Sequence, residues 1–502
     1  MDFSFRTGSW YYRAARNEGL GAARRLLVGM VPSWPLIVAI AALARALTQP
    51  AALLNDPDTY LHIAAGRWML AHQALPTQDP FSYSLAGSVW VPHEWLAEVI
   101  LAVTCDAARW SGVVWLAAAC FAASMALLTR FLLRWLEPFS ALIAVMLGGA
   151  LTLGHLLVRP HILALPLLVL WSGELFAARD SGSAPPLWLL AVIALWANLH
   201  GSFMFGLALL LFLGAEAVFS TRCCGREIRR WSFFGLLAIA ASMATPNGWA
   251  GFVEPFRLVT MPALQTSFGE WMSPNFQRFE PLEIWLLGMM ALGFTTGIKL
   301  PPSRALLLVG LSHLALAHIR HAELLGLVGP LAVAASLGPQ IAARIGAPLS
   351  ALGHGFNRLA APARLPALAL AAIVAVVISI PIIFRPIERT EDAVTPAAAL
   401  SAARATRLVG PVFNSEGFGG YLIFSGIPTF IDGRAELYGN DFLSRYLAAE
   451  AGDCDKLTAL LQEYGVEWTL VAPRQGAAHC LDNLLGWRRA FSDRHAVIHM
   501  RG

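Results

Sequence analysis

The chain is dominated by apolar stretches that recur along most of its first three quarters. About eleven of them are long enough to cross, or nearly cross, a hydrocarbon core of about 30 Å as α-helices. Hydrophobic residues make up 57% of the 502 residues and charged residues only 14%, and the mean hydropathy is +0.59. These values lie well above the balance of a soluble domain. The sequence therefore predicts a polytopic α-helical membrane protein.

The spans predicted in this way have boundaries good to a few residues. The first follows a polar and basic N-terminal segment that has no small-residue cleavage site, so we predict a signal anchor there. The spans are residues 26–47, 113–133, 139–158, 162–178, 187–199, 203–219, 233–245, 284–297, 305–317, 324–337 and 366–383.

Basic residues give the orientation of these helices, since cytoplasmic loops carry an excess of Lys and Arg. Arginines at positions 6, 13, 16, 24 and 25 precede the first span, which predicts a cytoplasmic N-terminus. Residues 94–108 form a short segment that carries Glu98 and Asp106, and we predict that it lies in the interface without spanning. The later basic groups then all fall in the cytoplasm: Arg130, Arg134, Arg179, Arg222, Arg226, Arg229, Arg230, Lys299, Arg304, Arg344, Arg358 and Arg364. The net charge of +4 is small and comes largely from helix ends, so it indicates topology and not nucleic-acid binding.

The same orientation gathers polar helix ends on the outer face. Ionisable groups at a membrane surface are typical of a functional site. The first outer loop, residues 51–111, contributes Asp56, Asp58, His62, Arg67, Asp79, His93 and Glu94. Later outward ends contribute Arg159, His161, His200, Glu270, His318, Arg320 and His321.

After the last span the composition changes, and residues 386–502 are predicted to form an extracytoplasmic α/β domain beside the membrane domain of residues 1–385. Strands are predicted at 411–414, 428–432 and 466–472, and a helix at 455–464. A glycine-rich segment, 417–420, predicts a tight turn and resembles a phosphate cradle only weakly. Cys454 and Cys480 both lie in this domain, where an oxidising compartment permits a disulfide. The sequence alone leaves open whether they pair.

Several of these motifs resemble the GT-C fold glycosyltransferases. The first outer loop carries Asn55-Asp-Pro-Asp-Thr-Tyr-Leu-His62, then Asp79-Pro-Phe81 and His93-Glu-Trp95. The similarity extends to Trp196-Ala-Asn-Leu-His-Gly201 and to Phe430-Ile-Asp-Gly-Arg434 in the outer domain. It covers nearly the whole chain and is greatest to a bacterial branch near the protein mannosyltransferases and aminoarabinose transferases.

This resemblance implies a hexosyl- or pentosyltransferase of the bacterial inner membrane that inverts the anomeric carbon. Its donor would be a sugar linked to polyprenyl phosphate, and its acceptor a lipid, glycan or protein in the cell envelope. The acid that precedes an aromatic residue by four in the family falls on Asp56, with Tyr60 as the aromatic. In the two related branches a second acid follows directly, whereas here Pro57 intervenes before Asp58. Which of the two acids is the base stays open.

The chemistry of transfer explains why such residues are needed. A base must take the proton of the acceptor hydroxyl, and burial raises the pKa of a carboxyl toward that task. We expect Asp56 in this role, with Asp58 assisting or binding a divalent cation; no cofactor is certain. Cations must stabilise the departing phosphate. Candidates for binding substrate are His62, Arg67, His93, Arg159, His161, His200, Glu270, Arg320 and His321, and Glu94 joins the two aspartates as a catalytic candidate.

Other interpretations of the same residues stay open. Asp56 and Asp58 are also suited to cap the helix that follows them, and Arg159 to reach the lipid interface by snorkelling. Asp432 and Arg434 are best explained as an ion pair or turn within the outer domain. A noncatalytic lipid transporter or assembly subunit is the main alternative function, although a transporter should place its charges along a midplane path. Polymer ligation and acyl transfer are further alternatives.

Overall fold

The computed structural model of the chain describes residues 29–219, 225–263, 269–345 and 353–502. Its helices before the C-terminal region are α1 (Trp34–Leu47), α2 (Pro50–Leu53), α3 (Asp58–His72), α4 (Trp95–Leu132), α5 (Pro138–Leu153), α6 (Pro160–Asp180), α7 (Leu189–Leu199), α8 (Phe203–Val218), α9 (Gly225–Ser242), α10 (Gly248–Val259), α11 (Pro281–Thr296), α12 (Pro302–Ala317), α13 (Ala322–Ile345), α14 (Gly353–Arg358) and α15 (Leu365–Phe384). Two short 3-10 helices, Gly269–Trp271 and Ile319–His321, lie in the connections.

The apolar helices follow the predicted spans closely. Four are long and apolar enough to cross a membrane: α4, α6, α15 and the helical segment Ile319–Arg344. Six more apolar helices have 10 to 17 residues, so the membrane location is supported while the total of about eleven spans stays a prediction. The beginning of the first predicted span at 26–28 and the five arginines before it lie outside the described residues, as does Arg222.

Local sequence explains where many of these helices begin. Helices α1, α2, α5, α6, α11, α12 and α15 have Pro in their first two positions, where a missing N–H costs no hydrogen bond. At α5 the side chain of Glu137 accepts hydrogen bonds from the N–H groups of Phe139 and Ser140, which caps the helix.

Helix α4 contains a sharp break at the position where the predicted interfacial segment ends. Ala108 and Arg109 leave helical geometry, and Arg109 has φ of 53°. The part before the break packs against α3, and the whole helix also contacts α1 and α6. The segment 94–108 is therefore helical and distinct in direction from the apolar part that follows. Whether it lies in the interface stays a prediction.

The C-terminal region forms a small mixed sheet surrounded by helices. Its elements are α16 (Ala397–Ala405), β1 (Val412–Asn414), α17 (Glu416–Phe424), α18 (Ala435–Ala451), α19 (Cys454–Glu463), β2 (Trp468–Val471), α20 (Gly476–Asn483), β3 (Trp487–Ser492) and β4 (Val497–Arg501). The strand order is β1-β2-β4-β3, with β1 parallel to β2 and the other pairs antiparallel. Cys454 and Cys480 form a disulfide between α19 and α20.

Two predictions for this region were wrong. The glycine-rich segment 417–420 is part of helix α17, not a turn, and Gly419 and Gly420 lie against neighbouring backbone where a side chain would not fit. A Cβ on Gly420 would lie 2.2 Å from the carbonyl oxygen of Pro57. Residues 428–432 are no named strand either, since Thr429 only bridges to Ser82 of the first loop.

The C-terminal region is joined to the first outer loop by buried polar contacts. Arg434 pairs with Asp79 of the loop at 2.7 Å and with Asp432 at 2.7 Å, and all three side chains are almost fully buried. The predicted Asp432–Arg434 ion pair is thereby confirmed. Arg389 adds a second tie, since it donates hydrogen bonds to the Tyr60 hydroxyl and to Thr395. These contacts place the start of α18 directly over the first loop.

Candidate active site

Three adjoining cavities lie at the helix ends around Arg159 and Arg320, and two of them also border the C-terminal region. We name them by their linings: the polar cavity of about 120 Å³, the acidic cavity of about 420 Å³ and the apolar cavity of about 550 Å³. The ionisable residues around the polar cavity are Asp58, His62, His93, Glu94, Glu98, His155, Arg159, His161, His200, Glu270, Arg320, Arg434 and Glu436.

Arg159 lies at the centre of the carboxylates. It immediately precedes α6, and the neighbouring backbone is fixed by two bonds: Val158 N–H donates to the Leu53 carbonyl at 2.9 Å, and the Thr59 hydroxyl donates to the Val158 carbonyl at 2.8 Å. Its guanidinium forms ion pairs with three carboxylates: Nε with Asp56, Nη2 with Asp58 at 3.0 Å, and Nη1 with Glu270 at 3.0 Å. Three acids therefore share one buried cation, so Arg159 is not a snorkelling side chain.

The two aspartates of the first loop have different surroundings. The side chain of Asp56 is 2% exposed, and its Oδ1 accepts the N–H of Asp58 at 2.8 Å, which starts helix α3. The side chain of Asp58 is 17% exposed and faces both the polar and the acidic cavity. Burial raises the pKa of Asp58 from 3.8 to about 6, although Arg159 opposes this rise and Asp56 adds to it. Asp58 is thus the more accessible acid and holds its proton more readily than a free aspartate.

The C-terminal region closes over this carboxylate. A Cβ on Gly433 would lie 2.0 Å from Oδ1 of Asp58, so any larger residue here would displace the carboxylate. Gly433, Arg434 and Glu436 then complete the wall of the polar cavity. The site is therefore shared between the first loop and the C-terminal region.

A second group of charges lies one turn along α3. His62 follows Asp58 by four residues, which puts both on one face of the helix. Its Nδ1 contacts Oε1 of Glu98 at 3.2 Å. Burial disfavours the charged ring, but the hydrogen bond to Glu98 and the charge of Glu94 together raise the pKa of His62 to about 9. The site therefore holds an imidazolium near neutral pH. Glu94 also lies 3.4 Å from Nε2 of His200.

The far wall is built around Glu270 of the 3-10 helix Gly269–Trp271. Its carboxylate pairs with Arg159, with Arg320 at 2.9 Å and with His155 at 3.2 Å. These partners outweigh burial and hold the pKa of Glu270 well below its ordinary value. The guanidinium of Arg320 also lies over the ring of Trp271, 4.6 Å from its centroid. Arg320 is thereby fixed at the border between the polar and the apolar cavity.

The apolar cavity begins at this border. It shares His93, Glu94, His200, Leu258, Trp271 and Arg320 with the polar cavity. Its remaining wall is mainly hydrocarbon and comes from α8, α9, α10, α12 and α13: Met204, Phe205, Leu207, Leu210, Leu211, Ile239, Phe252, Phe256, Val259, Leu314 and Leu324. A charged head group and an apolar tail would find matching surroundings in the two cavities.

The acidic cavity lies on the other side of Arg159. Its lining contains five carboxylates and two basic residues, His155 and Arg159. The carboxylates are Asp56, Asp58, Glu270, Glu280 and Glu416. Asp58, Arg159 and Glu270 belong to both cavities and so form the partition between them.

Nine of the twelve site residues predicted from the sequence line the polar cavity. Asp56 instead lines the acidic cavity and His321 the apolar one. Arg67 lines none of the three, because its guanidinium pairs with Asp106 at 2.7 Å and lies over the ring of Phe424. The nine are Asp58, His62, His93, Glu94, Arg159, His161, His200, Glu270 and Arg320.

Sequence reasoning missed several members of the site. The predicted span 139–158 includes His155, although α5 ends at Leu153. The charge of Glu98 only indicated that the segment 94–108 does not span. Glu323 lies one residue before the predicted span that begins at 324. An acid or histidine within a turn of a predicted span end was the signal that would have found His155 and Glu323; Glu98, on the interfacial segment, needed the contact with His62 to be seen.

Two groups of side chains have donor atoms of the kind that bind metals. The acids Asp56, Asp58 and Glu270 all direct an oxygen at Arg159, so the guanidinium occupies the position that a divalent cation would need. This set therefore does not fit a metal. His155, His161 and Glu323 have donor atoms within 4.8 Å of one another.

Comparison with known proteins gives matches of structure only. No protein-family model matches the chain, and no curated protein matches its sequence. The apo oligosaccharyltransferase of Archaeoglobus fulgidus superposes with a TM-score of 0.50 at 11% identity, over 88% of this chain and 69% of that one. The oligosaccharyltransferase AglB from the same organism, in complex with an inhibitory peptide and a dolichol-phosphate, superposes with a TM-score of 0.51 at 13% identity over the same shares. The chain has a GT-C fold.

This finding confirms the resemblance drawn from the sequence motifs. ArnT from Cupriavidus metallidurans, bound to undecaprenyl phosphate, is also similar, with a TM-score of 0.45 at 13% identity over 95% of this chain and 98% of that one. At such low identity the likeness is one of fold.

Proposed function

We propose that the protein is a membrane glycosyltransferase that moves a sugar from a polyprenyl-phosphate-linked donor to an acceptor on the extracytoplasmic face. The observation that carries the proposal is the union of a polar cavity, which contains a partly exposed carboxyl, with an apolar cavity. A lipid-linked sugar has these two parts. Binding of dolichol-phosphate by AglB, which has the same fold, supports a polyprenyl phosphate as the carrier.

In this proposal the carrier tail lies in the apolar cavity and its phosphate at the border. Arg320 is the cation at that border, and His200 lies beside it on both linings. A guanidinium binds phosphate oxygens through directed, charge-assisted hydrogen bonds. Because Arg320 is already fixed by Glu270 and Trp271, little conformational entropy is lost when phosphate binds. The sugar then reaches into the polar cavity toward Asp58.

Asp58 is our candidate for the base, in preference to Asp56. It faces the acidic cavity as well as the polar one, so an acceptor hydroxyl in the acidic cavity and a donor in the polar cavity would both contact it. The acceptor oxygen bonds to the anomeric carbon while the bond from that carbon to the phosphate oxygen breaks. The proton of the acceptor hydroxyl passes to Asp58, and the electron pair of the broken bond stays on the phosphate oxygen. Asp56 acts by holding Arg159, which positions Asp58.

The orientation of the chain in the bacterial inner membrane forms part of the proposal. The disulfide between Cys454 and Cys480 supports an oxidising compartment for the C-terminal region. Two of the predicted cytoplasmic arginines, Arg179 and Arg304, form a basic cluster around Glu216, and Arg304 also pairs with Asp180 at 2.8 Å. Asp180 is separated from Arg159 by the 21 residues of α6, which rise about 30 Å. The site and the basic cluster thus belong to opposite faces.

Binding of undecaprenyl phosphate to the purified full-length protein tests the donor site. Native mass spectrometry would compare wild type with Arg320→Met, which removes the phosphate contact, and with Ala208→Trp, which fills the apolar cavity from an exposed position. We expect each variant to bind about tenfold or more weakly, as loss of a charge-assisted contact predicts. Arg445→Met, an exposed arginine in the C-terminal region, is the matched control and should bind normally.

Transfer is tested separately in cells that carry Asp58→Asn. We expect the variant to bind undecaprenyl phosphate like wild type and to accumulate an unused polyprenyl-phosphate sugar in lipid extracts, detected by liquid chromatography and mass spectrometry. Turnover equal to wild type would remove Asp58 from the mechanism. Equal lipid binding by wild type, Arg320→Met and Ala208→Trp would instead contradict the donor site and favour the transporter or assembly role.

A further inference from the structure

Two histidines and a glutamate come together behind the catalytic partition. His155 lies in the connection between α5 and α6, His161 in the first turn of α6, and Glu323 in the first turn of α13. One donor atom from each lies within 4.8 Å of the other two. The proposed transfer reaction assigns no role to this set. It therefore needs its own explanation.

Both histidines are held as metal-binding histidines usually are. His155 places Nε2 3.2 Å from the carboxylate of Glu270, and His161 places Nε2 3.1 Å from the backbone carbonyl of His155. When Nε2 donates its proton to such an acceptor, Nδ1 keeps the lone pair that a metal requires. A carboxylate or carbonyl behind the ring is the usual outer partner of a metal-binding histidine.

Two buried atoms of the set have no hydrogen-bond partner. They are Nδ1 of His155 and Oε2 of Glu323, whose side chains are only 11% and 12% exposed. These atoms are 3.7 Å apart, beyond hydrogen-bond distance. Two ligands of one tetrahedral zinc ion lie about 3.4 Å apart, so an ion between them would satisfy both atoms after a small adjustment. Unsatisfied buried polar atoms are rare in native proteins, and this pair points to a missing ligand.

We propose that His155, His161 and Glu323 bind a zinc ion in the wall between the polar and apolar cavities. Two imidazoles and one carboxylate are typical of zinc and unlike the all-oxygen sites of Mg²⁺ and Ca²⁺. Three protein ligands leave a fourth position open to an oxygen ligand such as water or phosphate. Its three ligands differ from the acids that surround Arg159, although Glu270 contacts both Arg159 and His155, and the site does not depend on the proposed transfer activity.

Metal binding to the full-length protein in detergent tests this site directly. After dialysis against a chelator, Zn²⁺ is measured by elemental analysis, and Co²⁺ is added as a spectroscopic probe. We expect one tightly bound Zn²⁺ per chain and the intense visible absorption of tetrahedral Co²⁺. His155→Gln and Glu323→Gln should each weaken binding by more than a hundredfold, and Glu270→Gln, an outer partner, by about ten- to a hundredfold. His72→Gln, a histidine on α3 stacked on Trp68 outside the three cavities, should bind like wild type.

The wild-type measurement decides the proposal even where a variant fails to fold. Substoichiometric Zn²⁺ in the wild type, or a Co²⁺ spectrum typical of six-coordinate solvent-exposed ions, would overturn it. Equal affinity of wild type and a folded His155→Gln variant would overturn it as well. In either case the three side chains would form an ordinary buried imidazole–carboxylate contact. A stoichiometric zinc ion together with no lipid binding would uphold this site and contradict the proposed function alone.

Discussion

Replacement of Asp58 by Asn should make the protein more stable while it abolishes transfer. Burial raises the pKa of this carboxyl from 3.8 to about 6, despite the opposing charge of Arg159, so the folded state disfavours ionisation. Ionisation of a carboxyl whose pKa is raised in the folded state lowers the free energy of unfolding. This loss is absent below the pKa of the unfolded state and complete above the pKa of the folded state. The cost of ionising Asp58 is then about 3 kcal/mol at about pH 7.5 and about half of that at about pH 5. Asn is always neutral and avoids it.

Thermal unfolding in detergent, followed by tryptophan fluorescence at both pH values, measures this difference. For a chain of this length, 3 kcal/mol corresponds to a gain of roughly 3 °C in Tm. The control is Asp106→Asn, whose side chain is 50% exposed and pairs with Arg67, so its effect should stay below about 1 kcal/mol. A gain for Asp58→Asn that is the same at both pH values would refute the electrostatic reasoning. A loss of stability at the higher pH would show that the Arg159 ion pair outweighs burial.

Three further predictions concern the pH dependence of turnover and the contacts of Arg434 and Gly420. Turnover should fall below about pH 6, since Asp58 must be ionised to accept a proton, and a pH–rate profile with its acid limb near pH 4 would contradict this. Arg434→Met should lower the free energy of unfolding by about 3–5 kcal/mol, because it leaves two buried carboxylates without their cation. The control, Arg445→Met, breaks a half-exposed ion pair and should cost less than about 1 kcal/mol. Denaturant titration measures both. Gly420→Ala should destabilise by about 1–3 kcal/mol, because its Cβ would lie 2.2 Å from the Pro57 carbonyl oxygen, and unchanged thermal unfolding would contradict that close packing.

The apolar elements were the part of the fold that one sequence predicts well. Long hydrophobic runs form helices in a bilayer, so apolar helices occur at the predicted positions in the described residues, and the predicted interfacial segment 94–108 ends where α4 breaks, while the number of spans stays a prediction. The C-terminal region was harder. Glycines at 417–420 favoured a turn locally, but tertiary packing against the first loop uses them inside helix α17. Contacts between segments more than 300 residues apart decide this, and local propensity does not contain them.

The site residues were predicted by their position at helix ends, and the errors follow from what that position omits. Arg67 and His62 lie on the same helix and both contact α4, yet five residues turn the chain by about 140° and carry it about 7.5 Å along the axis, which moves Arg67 away from the polar cavity. It therefore pairs with Asp106 while His62 faces the polar cavity. Helical phase would have separated the two. The distribution of Arg159 among three carboxylates, by contrast, depends on how α6 packs against the first loop, which no local pattern shows.

The two arginine clusters beside the C-terminal region show how structure and chemistry differ in one molecule. Around Arg434, every carboxylate oxygen of Asp79 and Asp432 accepts a hydrogen bond, and both side chains are 0% exposed. That cluster is saturated and joins two parts of the fold. Around Arg159, one cation serves three acids, and Asp58 and Glu270 remain 17% and 24% exposed to cavities. A cluster in which every carboxylate oxygen already accepts a hydrogen bond has no free group with which to bind a substrate. The unsaturated one keeps charge and space available, which is why we assign the reaction to it and stability to the other.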